Sequence, residues 1–169
     1  MSKSDLLIRV CVWLALLGYL PGAAYALTRR GNAHWEKALR WVWTLSGLCL
    51  LLHVAFALHF VHHWNQVSVY VETARQTAEV FGVYWGGGMY VNYALLLLWM
   101  IDLVWWWAWP DSYRRRPRWL TVSWHGFLLF IFFNATVVFV NGTLRWLGVA
   151  GTVILLWMWW HRNLRERWE

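Results

Sequence analysis

Five near-unbroken apolar runs divide the chain, at about residues 10–27, 41–61, 89–109, 119–140 and 144–160. Each approaches or exceeds the ~20 residues that an α-helix needs to cross a bilayer. In lipid, every backbone polar group must be satisfied internally, so spanning segments of this length are helices. Composition agrees. Of the 169 residues, 60% are hydrophobic and 14% charged, too few polar groups to cover a soluble domain of that size. The chain is predicted to be an all-α, polytopic membrane helix bundle. It reads as one domain over residues 1–169, without internal repeat, low-complexity segment or second domain.

Five crossings put the loops alternately on two sides. Eleven of the 15 Lys and Arg residues fall in the 28–40 loop, the 110–118 loop and the C-terminal tail. Lys3, Arg9, Arg75 and Arg145 fall on the opposite side. Basic residues mark the cytoplasmic side, so the N-terminus is predicted outside and the C-terminus inside. The membrane this implies is a bacterial inner (plasma) membrane. Thirteen of the 18 tryptophans (positions 35, 41, 43, 105, 106, 107, 109, 119, 124, 157, 159, 160 and 168) lie near that inner face. Indole rings suit the headgroup level. Cleavage of a signal peptide after Ala24-Tyr25-Ala26 would leave the eleven bases outside, so the uncleaved reading is preferred. The same topology explains the net charge of +7, including Arg114-Arg115-Arg116, without a nucleic-acid partner.

The segment 62–88 is then extracytoplasmic. Within it, residues 66–81 read as an amphipathic helix, with Val67, Val71, Ala74, Ala78 and Phe81 on one face and Glu72, Arg75, Gln76 and Glu79 on the other. That apolar face would meet lipid or protein. Gly86-Gly87-Gly88 reads as a tight re-entry turn. It is not a phosphate loop, because no Lys-Ser/Thr follows.

The chemistry-bearing side chains concentrate around this segment. His59, His62 and His63 share a face if the second helix continues through them, and neutral imidazoles are common ligands of zinc, copper and iron. Three neighbours on one helix seldom converge on one ion, so Glu72, Glu79 or His53 would complete the set. The spacing His59-x-x-His62-His63 resembles one histidine box of the membrane-bound fatty-acid desaturases and hydroxylases, which use several such boxes to bind two irons. This chain carries only this one, and on the outer side, so no function is carried over.

Inside the bilayer, each polar residue needs a partner or a role. Asp102 and His125 are predicted at similar depth near the inner face, placed to form an ion pair that locks two helices or relays protons. Ser46, Cys49 and His53 share one helical stripe, and Asn134 and Asn141 another, with interhelical hydrogen bonding as the simplest use. His53 and His125 differ in depth by about six residues, or ~9 Å, which disfavours a haem held by two histidines of this chain. Gly18 and Gly22 form a small-xxx-small surface for close helix approach, and Cys11 and Cys49 show no metal or redox spacing. Nucleophile-elbow, Cys-x-x-Cys and paired-carboxylate patterns are absent, and the sequons at Asn134 and Asn141 lie too near the bilayer for glycans.

These readings give three functional expectations. The first is a membrane-complex subunit or metalloprotein with an outer pocket of His53, His59, His62, His63 and Glu72, binding a transition metal or redox cofactor. The second is a non-catalytic scaffold or assembly subunit, in contact with lipid and with other subunits or its own copies. The third is a proton- or ion-conducting bundle using Asp102 and His125.

Overall fold

The computed structural model of the chain describes residues 2–28, 33–140, 142 and 144–165, and among these there is no strand. Arg29, Arg30, Asn141, Arg167 and Trp168, which the sequence reading used, lie outside the described residues.

The first helix, α1, spans Lys3–Thr28 and begins seven residues before its apolar run. A reciprocal cap explains the early start. Asp5 N–H donates to Ser2 Oγ at 3.1 Å, and Ser2 N–H donates to the Asp5 carboxylate at 3.0 Å. The second helix, α2, spans Ala33–Phe56, so much of the expected 28–40 loop is helical, with Arg40 bridged to Glu36 at 3.4 Å. It ends in a π-turn, Ala57–Val61.

Helix α3 spans Gln66–Phe81, as the amphipathic pattern predicts. Asn65 Oδ1 accepts from Val67 N–H and Ser68 N–H at 3.0 and 3.3 Å, capping the start. Gly82 closes the end in the left-handed conformation, φ 71°. Then come α4 (Gly88–Ala108), a single turn α5 (Pro110–Arg114) with proline at its start, and α6 (Arg118–Phe133). A second π-turn, Asn134–Val138, extends α6, and α7 spans Leu144–Arg165.

Four stretches are long and apolar enough to cross a membrane, Lys3–Tyr25, Trp35–Val61, Gly88–Ala108 and Arg118–Val138, which marks the chain as a helical membrane protein. Helix α7 is not among the four. Its apolar centre is bounded by Arg145 and His161.

The chain gathers into two compact units, one made of Met1–Leu16 with Thr44–Ala108, the other of Leu17–Trp43 with Trp109–Glu169. In the first, α2 meets α4 at Gly47, where an added Cβ would lie 2.8 Å from Leu103 Cδ1. Trp107 Nε1 donates to Thr44 Oγ1 at 2.9 Å across the same pair of helices. In the second, Trp43 is fully buried and Gly22 presses against its ring, leaving no room for a Cβ. Tyr19 packs on Trp43 and on Phe132, with ring centroids 6.2 and 5.4 Å apart. Between helices in lipid, apolar burial brings little transfer gain, so such close packing carries the association. Gly22 therefore makes its close helix approach within this chain.

Candidate functional site

The corner between α2 and α3 differs from the sequence expectation in one decisive way. Convergence of His59, His62 and His63 required one regular helix. Instead α2 passes into the π-turn, where His62 N–H donates to Ala57 O at 3.1 Å, and the next two residues, His63 and Trp64, take positive φ values of 48° and 61°. A π-turn inserts an extra residue into the helical repeat, and left-handed residues end it. The three imidazoles accordingly make different contacts. His59 is exposed, edge-on to Phe60 and Trp64 with centroids 4.8 and 6.5 Å away. His62 places Nδ1 3.0 Å from Ser68 Oγ, while His63 is exposed.

Glu72 is engaged within α3. It accepts from Arg75 at 2.6 Å and from Gln76 at 2.9 Å, and Arg75 also pairs with Glu79. The Arg75 hydrogen bonds hold the Glu72 carboxyl below its usual range against a smaller opposing effect of burial, and Gln76 and the nearby His62 add to the lowering. The two carboxylates in turn push the Arg75 guanidinium up.

His53 is half-buried in the α2 span, and its Nδ1 lies 2.9 Å from the backbone carbonyl of Ile8 on α1. A carbonyl oxygen only accepts, so Nδ1 carries a proton, and the lone pair of a neutral ring would lie on Nε2. Among the described residues, no three His, Cys, Asp or Glu side chains are placed to share one metal ion. No three of the five expected ligands are thus brought together.

On α6, His125 is buried in the second unit with Trp43 tilted against it at 6.1 Å. Its Nε2 lies 3.4 Å from Nη2 of Arg116, which also donates from Nε to Thr121 Oγ1 at 3.0 Å and stacks over the Tyr113 ring at 4.1 Å. Among the described residues, Nδ1 of His125 has no hydrogen-bond partner. A guanidinium only donates, so Nε2 accepts and the ring proton sits on Nδ1. His125 is thus held by Arg116. Asp102 is buried in the first unit.

Arg116 is the residue that sequence reasoning missed. Counted as one of a basic run, it reaches inward along its own aliphatic stem, and only its position just before Pro117 and α6 hinted at this. Asn134 corrects another expectation. It donates to Phe130 O at 2.7 Å on its own helix, satisfying a carbonyl next to the π-turn in place of bridging helices. Arg145, assigned to topology alone, donates to Val137 O at 2.6 Å and caps the same turn.

Comparison of the chain with protein-family models, curated proteins and solved structures finds no match.

Proposed function

We propose that this chain is a non-catalytic subunit of a membrane assembly, crossing the bilayer five times with its N-terminus outside and C-terminus inside, in a bacterial plasma membrane. Helix α7 is the fifth crossing. One observation carries the reading. Most of the side chains able to do chemistry are each held by a different partner within the fold: His53 by Ile8 O across α1 and α2, His62 by Ser68 across the α2–α3 corner, Glu72 by Arg75, His125 by Arg116. Polar groups dispersed in this manner fasten a bundle, since interhelical hydrogen bonds contribute about 0.6 kcal/mol each in lipid. The faces left open are apolar, as at Leu45, Leu48, Leu51 and Leu52 of α2.

The test is the mass of the particle extracted from native membranes into lipid nanodiscs. A defined complex larger than the 20.2 kDa chain, unchanged when His59, His62 and His63 are replaced by alanine, supports a subunit role. A monomer carrying one transition metal per chain, lost in that triple variant, rejects it.

A second reading is favoured by His53. The donor bond to Ile8 O orients its Nε2 lone pair, the arrangement that second-shell acceptors impose on metal-bound histidines. We propose on this ground that His53 offers one axial position to a haem or transition metal whose remaining ligands come from a partner subunit. An absorption spectrum of the native complex that lacks any cofactor band, with no metal by elemental analysis, removes this reading.

A further inference from the structure

The apolar side of α3 is open in an unusual manner. Along it, Val67, Val71 and Phe81 are 70, 47 and 58% exposed, and the member that protein covers completely, Ala74, is one of its two alanines. A helix packed to a protein core would bury its bulky residues first. We propose that α3 is an interfacial helix, its Val67, Val71 and Phe81 side sunk into lipid at the headgroup boundary of the membrane. The inference rests on the membrane reading alone and needs neither the fifth crossing nor the orientation.

Three further observations name lipid as the occupant. First, α3 is tethered at both ends to spans that stop at Val61 and start at Gly88. Linkers of four and six residues, reaching at most about 3.5 Å per residue, keep it at the surface. Second, its attachment to α4 draws it toward the bilayer. Tyr93, five residues into α4, donates from its hydroxyl to Gln66 at 2.7 Å, so the first residue of α3 sits beside the span itself. Gly86 presses against Tyr70, where an added Cβ would lie 2.7 Å from the ring, and Gly88 faces Thr73. Helix and span are thereby held side by side. Third, Trp64 before α3 and Tyr84 and Trp85 after it are all exposed, a pair of aromatic ends suited to the interface.

The polar side of α3 is matched internally, with Arg75 shared between Glu72 and Glu79. No cation is left on α3 to seek anionic headgroups, so apolar insertion alone holds it. Its embedding keeps the His59–His63 corner at headgroup depth.

Spin labels test this in zwitterionic phosphatidylcholine vesicles, using single cysteines introduced as V67C, V71C, E79C and L48C in a chain with C11S and C49S. Collision with oxygen reports lipid, and collision with a water-soluble nickel chelate reports solvent. Labels at 67 and 71 are expected to favour oxygen several-fold, as the label at 48 on the open face of α2 does, and the label at 79 to favour nickel. Labels at 67 and 71 that match position 79 would overturn the proposal in favour of water. Labels there shielded from both reagents would overturn it in favour of a protein partner. Failure of the label at 48 to favour oxygen would overturn the membrane reading itself, which separates the two failures.

Discussion

The imidazole of His53 donates from Nδ1 to the carbonyl of Ile8 at 2.9 Å, across 45 residues of sequence, and fastens α1 to α2. Because α1 runs toward α2 and α2 returns, one such bond fixes the register of the pair. His53→Phe removes the donor while keeping an aromatic ring. It is expected to destabilise the folded chain by about 1 kcal/mol, within the range for hydrogen bonds in lipid. Equilibrium unfolding in mixed detergent–SDS micelles measures this, and an unchanged midpoint would show the bond to be energetically empty.

Two glycines on neighbouring helices provide a paired test of packing. At Gly148 of α7 an added Cβ would lie 2.6 Å from Thr136 Cβ and 2.9 Å from Thr136 O, whereas at Gly126 of α6 it would meet no other described residue beyond its own helix turn within 4 Å. Gly148→Ala is expected to cost about 1–3 kcal/mol through overpacking against the π-turn. Gly126→Ala, by contrast, should be neutral or stabilising, since alanine is the better helix former. Thermal melts of the two variants in the same detergent decide it. Equal losses would contradict the close approach of α7 to Thr136.

How much of this was legible before the structure depends on the kind of signal. Apolar runs announce spans because length and composition alone decide them, and α3 was readable to its ends because its amphipathic period is bounded by Asn65 and Gly82. The early start of α1 was also readable in principle, since Ser2-x-x-Asp5 is a capping-box pattern. Neither π-turn had any such signature. Ala57–Val61 and Asn134–Val138 look like ordinary apolar helix, so the face shared by His59, His62 and His63 was inferred from a periodicity that the backbone does not keep. The site residues were legible by type and not by partner. Arg116 shows why. A long flexible side chain can reach His125 nine positions away, and no spacing rule records that choice.

The Arg116–His125 contact predicts coupling between the two residues. Arg116→Leu strips His125 Nε2 of its donor and leaves both ring nitrogens unpartnered in the bundle, which is expected to cost about 1–3 kcal/mol. Adding His125→Phe removes the stranded nitrogens and should recover part of the loss, giving a non-additive double-mutant cycle. Additive losses in the same unfolding assay would show the two side chains to be independent.

Acid should loosen α3 from its polar side. The folded Glu72 carboxyl titrates below its ordinary range because Arg75 donates to it. A depressed carboxylate adds stability that is fully present above the unfolded value of about 4.3 and lost as pH falls through the lower, folded one. Amide hydrogen exchange across residues 66–81 should therefore quicken in that acid window, modestly, since the pair is partly solvent-exposed. In Arg75→Gln the Glu72 titration, followed by carboxyl NMR, should move back up toward its ordinary range. A titration unmoved by that substitution would remove Arg75 as the cause.

The proposed topology depends on how many times the chain crosses the lipid, and α7 decides whether that number is odd. Reporters that work on only one side of the membrane, fused in turn to each terminus of the intact chain, read this out. Five crossings predict an N-terminal tag active outside and a C-terminal tag active inside. Both tags reporting the same compartment would contradict the topology and return α7 to the membrane surface.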